Sequence, residues 1–82
     1  MRAIGITTIE EGLILNNPTM EINNISYEQL TNKVNIEVLF NEENAIFKHS
    51  RTFTFENTDG KDLVYTDILE LIKTNNVLNK FI

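Results

Sequence analysis

Apolar and polar positions alternate most regularly between residues 33 and 56. Val34, Ile36, Val38 and Phe40 take every second place in the stretch 33–41, with Asn35, Glu37, Leu39 and Asn41 between them. A period of two sends one set to each face of a strand, so this reads as a strand with one face in the core. Asn41-Glu42-Glu43-Asn44 is a polar loop of hairpin length. Residues 45–56 then return with Phe47, His49, Arg51, Phe53 and Phe55 on one face, and Ile46, Lys48, Ser50, Thr52, Thr54 and Glu56 on the other. The pattern predicts a long antiparallel hairpin.

Upstream, residues 2–9 form a β-branched strand with Ile4 and Ile6 on one face and Thr7 and Ile9 on the other. Glu10-Glu11-Gly12 is a turn, Leu13-Ile14-Leu15 a short apolar run, and Asn16-Asn17-Pro18 ends it, because proline restricts the residue before it. Residues 19–27 carry a phase slip: Met20 and Ile22 are even-numbered, Ile25 and Tyr27 odd. A β-bulge at Asn23-Asn24 would return all four to one face. A tight Asn-Asn turn is the alternative, but the flanking pieces are short for a hairpin.

Downstream, Asn57-Thr58-Asp59-Gly60 has turn chemistry and Leu63-Val64-Tyr65 reads as a short extended stretch. Thr66 is the expected helix cap, with Asp67 and Glu70 near the positive end of the helix dipole and Lys73 near the negative end. Ile68, Leu71 and Ile72 form one apolar stripe, and Asn75-Asn76 stops the helix. Val77, Leu78, Phe81 and Ile82 make a last amphipathic turn expected to fold back on the sheet. Strands followed by helix give an α+β fold: a small antiparallel β-sheet with a C-terminal helix packed on it. A sandwich or barrel closed by the helix is the nearest alternative.

The chain of 82 residues reads as one domain, 1–82. Domains this small often rely on disulfides, metals or a partner. There is no cysteine and His49 is the single histidine, which leaves a partner or self-assembly. A net charge of −5 argues against general nucleic-acid binding, which needs cations to displace phosphate counterions. No apolar run has the length of a signal peptide or a membrane span, so the Asn24-Ile25-Ser26 triplet reads as chance and the expected location is the cytoplasm of the producing cell. Twelve asparagines and eleven isoleucines suggest an AT-rich coding genome, a hint of source rather than mechanism.

Catalytic and ligand-binding patterns are sparse. Asn57-Thr58-Asp59-Gly60-Lys61-Asp62 lacks the ligand spacing and closing glutamate of a calcium loop and reads as a turn. The glycines are scattered at Gly5, Gly12 and Gly60, which gives no phosphate loop. His49 and Ser50 are neighbours on a strand and point to opposite faces, so they form no local catalytic pair. Glu42-Glu43 reads as a solvated loop tip. Neither a catalytic residue nor a cofactor or metal site is predicted.

Lys48-His49-Ser50-Arg51 is the exception. His49 and Arg51 occupy the face that Phe47, Phe53 and Phe55 make apolar. One reading has both polar ends reaching water over stems packed on the rings. The other has a basic patch, in an acidic protein, that pairs with a partner's carboxylates or backbone. The two are compatible, and His49 and Arg51 are the partner-binding candidates.

The stretch Val34-Asn35-Ile36-Glu37-Val38-Leu39-Phe40, then His49-Ser50-Arg51-Thr52-Phe53-Thr54-Phe55, then Thr66-Asp67-Ile68 and a closing helix resembles small structural proteins of tailed bacteriophages. The resemblance spans residues 33–82 and is one of style, with no diagnostic motif and no residue role to carry over. It implies a virion or assembly subunit of capsid, neck or tail, with other protein subunits as partners; the acidic charge and the lack of a membrane-length apolar run leave neither nucleic acid nor membrane as an expected partner. The competing class is a small acidic phage inhibitor that imitates nucleic acid before a host defence or nucleic-acid-processing protein. Such a mimic concentrates carboxylates on one face, whereas Glu10, Glu21, Glu37, Glu42, Glu56 and Asp67 are spread along the chain, which favours assembly. An enzyme is a distant third.

Overall fold

The computed structural model describes residues 1–57, 60 and 62–82. Five strands come first: β1 (Ile6–Glu10), β2 (Leu13–Asn16), β3 (Thr19–Glu28), β4 (Lys33–Asn41) and β5 (Lys48–Glu56). The helix α1 (Tyr65–Lys73) and a 3-10 helix, Leu78–Phe81, follow. β3, β4 and β5 form an antiparallel sheet in that order, and β1 and β2 form an antiparallel hairpin of their own. The fold is α+β, with the terminal helices packed on the sheet.

β4 is the centre of the three-stranded sheet, and its alternation settles the core. Val34, Ile36, Val38 and Phe40 are fully buried. The β3 register shifts between Ile22 and Asn24, so Met20, Ile22, Ile25 and Tyr27 stand opposite Phe40, Val38, Ile36 and Val34. The bulge thus does what the phase slip requires: all four β3 residues meet the core row of β4.

The second layer covers that row. Thr7 and Leu15 face each other and both are buried, as is Ile9. Ile68 and Ile72 of α1 and Leu78 and Phe81 of the 3-10 helix join the same apolar cluster as the β4 residues. Phe40 lies at its middle, 5.3 Å from the Phe81 ring and 6.3 Å, edge-on, from the Phe53 ring. The opposite face of the sheet is polar: Thr54 donates to the Asn35 side chain over 2.6 Å, Asn23 to Glu37, and Lys48 pairs with Glu21 at 2.5 Å.

A corner joins the layers. The first residues run beside the start of β3, with Ala3 donating to the Pro18 carbonyl (2.9 Å) and Met20 to the Met1 carbonyl (2.8 Å). Gly5 (φ +85°) and Asn17 (φ +47°) then turn both chains together. The Asn17 N–H donates to the Gly5 carbonyl (2.9 Å), and the Gly5 N–H to the Asn17 side-chain oxygen (2.6 Å). Glycine and asparagine enter this left-handed region at least cost. The bend is why β1 starts at Ile6 rather than at Arg2 as expected.

Three other boundaries differ from expectation. Val64, not Thr66, is the helix N-cap; the Asp67 carboxylate accepts its N–H over 3.1 Å, so the acidic residue does the work assigned to the threonine hydroxyl. Leu63-Val64-Tyr65 consequently leads into the helix instead of forming a strand. β5 begins at Lys48 rather than Ala45: Glu42 and Glu43 bond to the corner, and the Ala45 N–H donates to the Glu42 carbonyl (3.0 Å) in a turn. At the turn expected over residues 57–60, Thr58 and Asp59 lie outside the described residues; Gly60 (φ +62°) donates to the Asn57 carbonyl over 2.9 Å.

Candidate interaction surface

β5 presents His49 and Arg51 on its core-facing side, opposite Phe40 and Val38 of β4. Both are partly buried, and Ser50 between them faces out, as strand alternation demands. Their stems extend the apolar row of Phe53 and Phe55 toward the edge of the core. Arg51 is also engaged within the chain. Its Nε donates to the Glu10 carboxylate at the end of β1, and another guanidinium nitrogen donates to the Ser50 carbonyl over 2.8 Å. The residue singled out as a docking cation therefore straps the β1–β2 hairpin to the sheet. His49 and Arg51 share one strand face, two residues apart.

The surface that sequence reasoning missed is apolar. Ile4 and Ile6 are 89% and 81% exposed, and Ile14 stands with Ile6 on the outer face of the β1–β2 hairpin. Ile46 and Phe47, 89% and 79% exposed, sit in the β4–β5 loop. That loop is clamped to the corner beside Ile4 and Ile6: Asn16 N–H donates to Glu42 (3.0 Å), the Asn17 amide to Glu43 (3.1 Å), and Glu43 N–H to the Asn16 carbonyl (3.4 Å). Glu42 and Glu43 are thus a clamp rather than a free loop tip. The missed signal was the pair of isoleucines Ile4 and Ile6 on the face opposite Thr7 and Ile9; a segment with one covered face has no internal need for them on the other.

Acidic groups are largely occupied locally. Glu10, Glu21 and Glu70 pair with Arg51, Lys48 and Lys73; Glu28 accepts from Thr31, and Asp67 caps α1. Among the described residues no three His, Cys, Asp or Glu side chains come together as metal ligands, and no helix is long and apolar enough to cross a membrane. A shallow open cleft lies at the far end of the sheet, lined by Tyr27, Glu28, Asn32, Lys33 and Asn57 among others.

Comparison with known protein families, with curated proteins and with solved structures finds no match to this chain. Its function has to be argued from its own surface.

Proposed function

We propose that this protein is a non-enzymatic assembly subunit that works through repeated contacts with other protein subunits, the setting of a tailed-bacteriophage capsid, neck or tail component. The observation that carries the reading is the set of exposed apolar side chains Ile4, Ile6, Ile14, Ile46 and Phe47, on the β1–β2 hairpin and on the β4–β5 loop that is hydrogen-bonded to its corner. Burying these side chains against a neighbour recovers free energy that the monomer leaves unrealised, on the order of 1.5–3 kcal/mol for each one fully covered. The hydrogen bonds of Glu42 and Glu43 hold the loop half of this surface in place before any partner arrives, which lowers the ordering cost of docking. The acidic-inhibitor reading has less behind it, because so many carboxylates serve the chain's own fold.

Size-exclusion chromatography with light scattering tests the proposal, together with mass spectrometry of particles from the producing cell. Concentration-dependent growth into larger species, abolished by the double substitution Ile6→Asp/Phe47→Asp with unchanged circular dichroism, is the expected result. A persistent monomer absent from every particle overturns it.

A further inference from the structure

β5 is the outer strand of the three-stranded sheet, and its free edge has a determinable hydrogen-bonding phase. Asn57, just past β5, donates its N–H to the Asn32 carbonyl over 2.7 Å and so continues the β4–β5 ladder by one step. Backbone groups on a strand alternate sides, so His49, Arg51, Phe53 and Phe55 bond to β4, while Lys48, Ser50, Thr52, Thr54 and Glu56 aim their N–H and C=O groups outward. The Ser50 carbonyl agrees, since it is open enough to accept the Arg51 guanidinium. Among the described residues no backbone group meets this outer edge.

The sequence along the edge is self-complementary. Antiparallel pairing of β5 with itself, centred on Thr52, overlaps the whole strand and sets outward-aimed residues opposite one another. Thr52 meets Thr52, Ser50 meets Thr54, and Lys48 meets Glu56 at both ends. Other symmetric registers of the same phase shorten the overlap and part the charged ends. On the core-facing side the same register places Arg51 beside Phe53 of the other copy, a cation against an aromatic ring. Lys48 already touches Glu21, but both are well exposed and can share; Glu56 has no ion pair among the described residues.

We propose that a second copy of this chain binds at the β5 edge, antiparallel about a two-fold axis at Thr52, joining two three-stranded sheets into one of six strands. This rests on the assembly reading in supplying one of its contacts, and it is made by the backbone edge and charged ends of β5 rather than by the side chains of Ile6 and Phe47.

Sedimentation of the full chain, with charge variants, tests it. The wild type is expected to populate a dimer of twice its 9.5 kDa mass as the smallest species above the monomer. Glu56→Lys sets like charges opposite each other twice and is expected to weaken the dimer about tenfold or more; Lys48→Glu/Glu56→Lys restores it. Thr52→Pro removes an N–H that faces away from β4, so it is expected to keep the fold by circular dichroism and lose the dimer. A wild-type monomer at every concentration, or a dimer indifferent to Glu56→Lys, overturns the proposal. If Ile6→Asp/Phe47→Asp dissolves larger assemblies while the β5 variants change nothing, the assembly reading stands and the β5 contact falls. A dimer that follows the β5 charges but never grows further leaves the contact and removes the assembly reading.

Discussion

Arg51 of β5 donates its Nε–H to the carboxylate of Glu10 at the end of β1, spanning the two layers of the fold. The side chains are 39% and 49% exposed, so solvent screens the pair and its contribution to stability is small. Arg51→Ala is expected to cost about 1 kcal/mol or less, and a double-mutant cycle with Glu10→Ala to give a coupling of about 0.2–1 kcal/mol that shrinks as salt is added. If Arg51 also serves docking, Arg51→Ala weakens assembly with an unchanged circular dichroism spectrum. Loss of folding would mean that its role is structural alone.

Phe40 and Phe47 sit on the same β4–β5 hairpin and are expected to behave oppositely. Phe40 is fully buried against Phe53 and Phe81, and Phe40→Ala leaves a cavity that costs about 3–5 kcal/mol. A domain of this length has a total stability of only about 4–12 kcal/mol, so that variant approaches or reaches unfolding. Phe47→Ala, at an exposed loop position, is expected to stay within about 0.5 kcal/mol of wild type. Denaturant titration of the two variants checks both values.

Asn75 accepts the N–H groups of Val77 (2.8 Å) and Leu78 (3.0 Å) on its side-chain oxygen, capping the 3-10 helix that carries Leu78 and Phe81 into the core. Asn75→Ala is expected to cost about 1 kcal/mol, and Asn75→Asp, which keeps the acceptor, much less. The same denaturant titration reads the difference.

How much of this was legible in the sequence follows from how local each determinant is. The β4 row, the β5 alternation and the bulge between Ile22 and Asn24 were all visible, because a period of two is a property of the strand itself. The apolar stripe Ile68, Leu71, Ile72 was visible for the same reason, and Leu78 and Phe81 fold back as their spacing implied, although Ile82 stays exposed. Determinants that join distant segments were not visible. Val64 takes the cap from Thr66 because Asp67 can reach back three residues, a choice that propensity alone does not rank. The Arg51–Glu10 strap links positions 41 apart, and the clamp from Glu42 and Glu43 to Asn16 and Asn17 links positions 26 apart. Pattern reading placed Ile4 and Ile6 on one face and Thr7 and Ile9 on the other without deciding which was covered. The corner decides it.

That corner depends on two residues held at positive φ and bonded to each other, Gly5 and Asn17. A Cβ at Gly5 would meet nothing within 4 Å, so any penalty for Gly5→Ala comes from the backbone conformation and not from a clash. The expected cost is about 1–2 kcal/mol. Asn17→Gly keeps the conformational freedom but removes the side-chain acceptor of the Gly5 N–H and the donor to Glu43, for about 1–2 kcal/mol. Asn17→Ala loses those bonds and adds backbone strain, so it should be the worst of the three. Hydrogen exchange locates the damage. Amides of β1 and β2 should exchange faster in all three variants while those of β4 remain protected, because the corner holds the hairpin over the sheet but does not hold the sheet together. Equal loss of protection across β1 and β4 would show instead that the two layers unfold as one unit. In the first case Ile9 and Leu15 lift away from the β4 row and the outer surface of Ile6 and Ile14 loses its fixed position, so assembly should weaken before the sheet melts.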